Sequence, residues 1–406
     1  MKHSAVLLGV LCCLTNIHVS AQEPHVYIHE GDTLRYTYTP LVVEEYPTNS
    51  PAKRSKKGFF HRLANYFEGS TQDRTFEKKI DFTFAGGIGY SKNTNVSFGV
   101  LAAGQYRVDR TDSITQPSNI TLFGNVSVTG VYAIGVSGYN LWNRNKQRIH
   151  YSVSFSSEPR SVWGKGYDAG RYAPETKYVE KDYRINTIYQ QRIFRNTYLG
   201  LSFDFQHTRG KDFDRIEILG SEKQRYTATG LGIVVEYDSR DFISAPSKGF
   251  YLSFKETLFP ESFGSCNQTL WRTKFIMDYY RPLWQGSVLA TDLYAEFNSN
   301  GTPWPMLSRM GGMNRMRGYY QGRYTDNDLI TFQVELRQKI WRRIGCVAWV
   351  GAGNVFSELK KFEWKQTLPN YGLGLRWELK QRVNVRMDYG FGKNTHGFML
   401  NINEAF

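Results

Sequence analysis

The sequence predicts an all-β protein: a transmembrane antiparallel β-barrel of about sixteen strands behind a short N-terminal periplasmic segment. Three observations predict it. Mean hydropathy is −0.48, and nothing after the first few dozen residues approaches the roughly 20 consecutive apolar residues of a membrane helix. From about residue 78 onward, apolar and polar residues alternate in strand-length segments, the period of a sheet whose faces differ. The polar face is densely charged and the apolar face rich in large aromatics. That suits a wet lumen inside a lipid-facing wall better than a soluble sandwich.

The N-terminus reads as a secretory signal over residues 1–21. Lys2 and His3 form the basic start, Ala5 to Leu14 the apolar stretch, and Val19-Ser20-Ala21 the small residues before cleavage. Gly9-Val10-Leu11 before Cys12-Cys13 lacks the small residue that a lipidation site requires. Residues 22–77 form the periplasmic segment. Within it, after the basic run Lys53 to Lys57, Phe59, Phe60, Leu63 and Phe67 recur at helical spacing. This short amphipathic helix suits either the membrane surface or packing under or inside the barrel.

The barrel is expected over 78–406. Spans fall near 78–90, 94–107, 118–128, 131–142, 148–159, 177–192, 196–208, 225–238, 248–259, 267–282, 286–298, 329–341, 343–354, 369–379, 382–393 and 396–405. The alternation assigns faces. Val383, Val385, Met387, Tyr389 and Phe391 face lipid, while Asn384, Arg386, Asp388 and Gly390 face the lumen. By the same parity, Glu335, Arg337, Arg376 and Glu378 line the lumen. Asn143-Arg144-Asn145, Arg195-Asn196 and Lys380-Gln381 read as tight turns at one end. Stretches 108–117, 160–176, 209–224, 299–328 and 355–368 read as long loops at the other. Short periplasmic turns and longer outer loops are the usual asymmetry, and an even strand count returns both barrel ends to the periplasm.

Two segments go beyond generic pattern. Tyr237-Asp238-Ser239-Arg240-Asp241, followed by Pro246-Ser247-Lys248-Gly249, sets charged residues at a strand end and Pro and Gly at the reversal. Gly311-Gly312-Met313-Asn314-Arg315-Met316-Arg317-Gly318-Tyr319 lies in the longest loop, between the eleventh and twelfth spans. Both resemble motifs of the BamA/TamA family of outer-membrane barrels, the bacterial surface antigens. The resemblance is detailed over roughly 225–406 and pattern-level before it. It implies that Arg317, Gly318 and Tyr319 tip the sixth outer loop, which folds into the lumen as a latch. It implies Glu335 as the acidic partner of Arg317. Gly351 stands where the family has a second acidic partner, so the latch is expected to be either reduced or rerouted to Asp388. Trp163-Gly164-Lys165-Gly166-Tyr167-Asp168 is similar to an early-loop motif of Bacteroidetes-type members. The end of the chain, with Phe398, Leu400, Ile402 and Phe406 alternating in a last strand, has the form of a barrel insertion signal.

The resemblance implies insertion or translocation of other proteins or lipids. Residues 22–77 are too few for a confident POTRA unit, so an accessory role beside a POTRA-bearing assembly complex is expected. A passive or gated channel and a structural surface barrel are the alternatives. No enzyme reading survives. Gly135-Val136-Ser137-Gly138-Tyr139 lacks the last glycine of a nucleophile elbow, and Arg240 between Asp238 and Asp241 argues for a turn rather than a carboxylate pair. No cofactor is expected, nor a metal, since no cluster has ligand spacing. Cys266 and Cys346 are expected to stay unpaired. The formal charge of +14 fits contacts with outer-membrane lipids and lipopolysaccharide better than nucleic acid.

Overall fold

The computed structural model describes residues 75–91, 95–112, 115–380 and 382–406. The expected signal sequence, most of the expected periplasmic segment and the expected helix over residues 59–67 lie outside them. The described chain forms sixteen barrel strands. These are β1 (Asp81–Ser91), β2 (Asn95–Tyr106), β3 (Ser118–Ser127), β4 (Tyr132–Trp142), β5 (Gln147–Val162), β6 (Thr176–Phe194), β7 (Thr197–Lys211) and β8 (Arg225–Asp238). There follow β9 (Gly249–Phe259), β10 (Leu270–Pro282), β11 (Ser287–Asn298), β12 (Asp328–Trp341), β13 (Ile344–Phe356), β14 (Leu368–Lys380), β15 (Val383–Gly392) and β16 (Thr395–Ile402). Hydrogen-bonded neighbours follow chain order from β1 to β16, and β1 and β16 come into contact at the seam.

Alternation dictates this wall. Along β8, Tyr226, Ala228, Val234, Glu236 and Asp238 are buried, whereas Leu231, Ile233, Val235 and Tyr237 are exposed to the lipid side. Along β15, Arg386 and Asp388 are buried while Met387, Tyr389 and Phe391 face outward. A lipid-facing wall needs no hydrophobic core behind it. The lumen is therefore free to hold charge, provided that each charge is paired.

In an antiparallel meander, every connection after an even-numbered strand lies at one end. This rule corrects one expectation. The stretch 108–117, read as an outer loop from its length, falls between β2 and β3, at the tight-turn end. There the Arg144 backbone N–H donates to the Asp112 carboxylate at 3.2 Å, and the Gln116 amide to the Asp241 carbonyl at 2.9 Å. Sidedness follows strand parity, not loop length.

The last strand brings a second correction. Its span near 396–405, with Phe406 closing the alternation, is longer than the strand observed, which ends at Ile402. Asn403 adopts a left-handed φ of 65°, which asparagine tolerates better than most residues. The turn swings Glu404 into the lumen, where Arg376 donates to it at 2.8 Å. Phe406 follows; the Arg337 guanidinium stands 5.1 Å from its ring centroid. Phe398 and Leu400 keep the outward face.

Candidate functional site: the latched sixth loop

The loop between β11 and β12 is the sixth at the outer end. Five glycines and one methionine turn it inward: Gly301, Gly311, Gly312, Gly318 and Gly322, together with Met316, all have positive φ. Gly318, at φ 102°, lies so close to β15 that a Cβ on it would overlap the Gly390 backbone. Only glycine suits that conformation and approach together.

This approach delivers Arg317 to the wall. Its side chain is completely buried. One guanidinium nitrogen donates to Glu335 of β12 at 2.6 Å, another to Asp388 of β15 at 2.7 Å. The guanidinium also stacks 3.6 Å from the ring centroid of Trp349 on β13. Register explains the convergence. Glu335 pairs with Trp349, Trp349 with Gly372, and Gly374 with Asp388, so all share the lumen face. Gly372 and Gly374 leave the room: a Cβ on the first would overlap the Trp349 ring, and one on the second the Asp388 carboxylate.

A wider charge network surrounds the latch. Arg337 donates to Glu335 at 2.7 Å, and Arg376 contacts Asp388 on one side and Glu404 on the other. Arg386 lies 3.5 Å from Asp388 and donates to the Asn314 side chain. Glu378, the remaining predicted lumen residue, stands apart at the turn-side rim, paired with the half-exposed Lys339 at 3.4 Å. A register shift beside Glu378 ends the regular ladder there.

The tip binds backbone as well. The Tyr319 hydroxyl donates to the Pro369 carbonyl at 2.7 Å and accepts from the Lys393 N–H at 2.7 Å. Thr395 of β16 donates to the Gly318 carbonyl at 2.9 Å. The loop is thus fastened to β14, β15 and β16, the strands next to the seam.

Several partners escaped the sequence reading. Arg315 grips Asp292 of β11 in a fork, at 2.8 and 2.6 Å. Trp349 takes the face of Arg317 beside Gly351, where the family pattern led us to look for an acid. Further out, Arg309 binds Glu180 of β6 through two nitrogens at 3.1 and 2.8 Å, and Arg160 joins at 2.9 Å. The third loop interlocks there. The Gly166 N–H donates to the Thr325 carbonyl at 2.8 Å, Ser161 N–H to the Tyr320 hydroxyl at 2.8 Å, and Tyr167 stacks on Tyr324 at 5.8 Å. Lumen parity on β6 and β11 was the available signal for Glu180 and Asp292; their partners were not legible.

The strand-turn motif closes the other end. Asp238 accepts from Arg148 at 2.8 Å and from Arg240 at 2.9 and 3.1 Å. Asp241 accepts the Ser247 and Lys248 N–H groups at 2.8 and 3.2 Å. Burial opposes ionisation of Asp241, but the Ser247 hydroxyl and these N–H donors outweigh it and hold the carboxyl below its usual range. Gly249, at φ 116°, completes the reversal. Cys266 and Cys346 are free.

A sixteen-stranded antiparallel wall, apolar outside, with a long loop fastened inside it by a buried arginine defines a class: transmembrane outer-membrane β-barrels. The family follows from the sequence match. Residues 124–406 match the model of the Omp85 superfamily domain, and the chain belongs to that superfamily. Solved structures share the fold. BamA from Haemophilus ducreyi, lacking POTRA domains 1–3, superposes with a TM-score of 0.52 at 13% identity, over 80% of this chain and 70% of that one. CdiB from Acinetobacter baumannii gives 0.54 at 12% identity, and CdiB from Escherichia coli 0.54 at 13%. Each match covers 80% of this chain but only 60% and 62% of the CdiB chains. No curated protein matches the sequence.

Proposed function

We propose that this chain is a Bacteroidetes-type member that assists insertion or translocation of other outer-membrane proteins, working beside a POTRA-bearing assembly complex. One observation carries the reading. The sixth-loop tip is bonded to Asp388, Lys393 and Thr395 on and between the last two strands. The tip thus ties β14, β15 and β16 together on one side of the seam, so any movement of these strands that accompanies parting of the seam acts on the latch. An opened seam exposes unpaired strand edges, which can template an incoming strand. The steady-channel alternative fits less well, because Arg317, Glu335 and Asp388 sit fully buried inside the lumen and the loop fills the space around them. Lipopolysaccharide and outer-membrane lipids are the expected surroundings.

The test is depletion of the protein from its native cell, followed by quantitative proteomics of the outer membrane and protease sensitivity of resident barrels. The proposal expects lower levels or poorer folding of other barrels. Unchanged levels and folding would sink it.

A further inference from the structure

We infer that the outward face of β6, β7 and β8, just above the apolar belt, is a binding site for a phosphorylated lipid headgroup of the outer leaflet. Register places three cations side by side: Lys181 is directly opposite Arg209, and Arg209 directly opposite Arg225. Directly paired residues share a face. Here it is the outward one, since Glu180 and Asp182 beside Lys181, and Thr208 and Tyr226 beside the two arginines, are the buried neighbours. Arg209 and Arg225 are exposed and Lys181 half-buried. Lys211 continues the same face one row further out, opposite Val179. Among the described residues, none of these cations forms an ion pair with a carboxylate. The nearest acids on these strands, Glu180 and Asp182, point inward to Arg309 and Arg184.

Like charges directly opposite one another destabilise a sheet. A row of three across adjacent strands, unrelieved by any acid, calls for an anion from outside. The rows below tell which kind. Tyr183 pairs with His207 in the next row towards the turn end, and Phe155 packs against Tyr183 with tilted rings, centroids 4.4 Å apart. Below these come Ile185 with Phe205, then Phe203 with Leu231. This is an aromatic girdle above an apolar band. From Thr197 to His207, a strand rising about 3.3 Å per residue at a tilt of roughly 40° climbs about 25 Å, the height of a barrel's apolar belt. The cation row therefore stands where lipid headgroups lie. A headgroup with more than one phosphate, anchored by acyl chains along Phe203, Phe205 and Leu231, matches it in both halves.

This inference rests on the outer-membrane location and not on any insertion role, so the two stand or fall separately. The test is native mass spectrometry of the full chain in detergent, titrated with bisphosphorylated lipid A and, in parallel, with phosphatidylglycerol and inorganic phosphate. Wild type should retain lipid A in preference to phosphatidylglycerol, and inorganic phosphate should not displace it. The variant K181Q/R209Q/R225Q should bind about 100-fold more weakly. All three side chains face outward, so its heat-modified gel mobility should match wild type. The control variant K360Q/K361Q/K365Q, which removes the same charge from another outer loop, should bind like wild type. Equal binding by K181Q/R209Q/R225Q, equal loss in the control, or equal retention of phosphatidylglycerol would each overturn the assignment.

Discussion

Replacing Arg317 by alanine tests the latch most directly. The substitution removes two charge-assisted hydrogen bonds, at 2.6 and 2.7 Å, and a guanidinium stacked 3.6 Å from the Trp349 ring centroid. Two such bonds contribute roughly 1.5–3 kcal/mol each, and a desolvated cation–π contact about 2 kcal/mol. The full penalty of orphaned carboxylates does not apply. Glu335 keeps Arg337 at 2.7 Å, and Asp388 keeps Arg376 and Arg386. Contacts made by one side chain are not additive, so we expect a loss of about 3–5 kcal/mol, below their simple sum of roughly 5–8 kcal/mol. That should lower the temperature at which the folded, fast-migrating gel band converts to the unfolded band by roughly 5 °C. Arg317→Lys separates geometry from charge. A lysine keeps the positive charge, but its compact ammonium lacks the planar fork that reaches Glu335 and Asp388 together, so about half the loss should remain. An R317A transition equal to wild type would refute the latch. An R317K transition equal to wild type would refute the role of the fork.

Three further outcomes follow. Gly318→Ala drives a Cβ into the Gly390 backbone at a φ of 102°; it should cost about 1–3 kcal/mol, read in the same gel assay with Arg317 intact. Glu180→Gln weakens the grip on Arg309 and Arg160 at the outer mouth; limited proteolysis should cut within 163–175 faster, while the gel transition governed by Arg317 moves little. The folded-state pKa of Asp241 lies below the ordinary 3.8, so its contribution to stability is fully present above pH 3.8 and is lost as pH falls through the lower folded value. Hydrogen exchange of the Ser247 and Lys248 amides should stay slow through pH 3.8 and accelerate only below it. Asp241→Asn should abolish that acid step, and protection lost at pH 3.8 in wild type would contradict the assignment.

What the sequence alone determined is the wall. A period of two fixes which residue faces lipid and which faces lumen, because slipping by one residue would turn every charge outward into the membrane. Hence the strand count, the lumen position of Glu335, Arg376, Arg386 and Asp388, and the inward place of Arg317 were legible, the last through family motifs. What only the tertiary structure decided is who meets whom. Arg315 finds Asp292, Trp349 rises under Arg317, and Arg309 crosses to Glu180. Those meetings depend on inter-strand register and on the path of a loop, which no local pattern encodes. The same holds for Asn403. One left-handed residue reverses the alternation, so Glu404 and Phe406 turn inward where a strand pattern points them out. Lys181, Arg209 and Arg225, scattered along the chain, become one row only when antiparallel pairing sets them side by side.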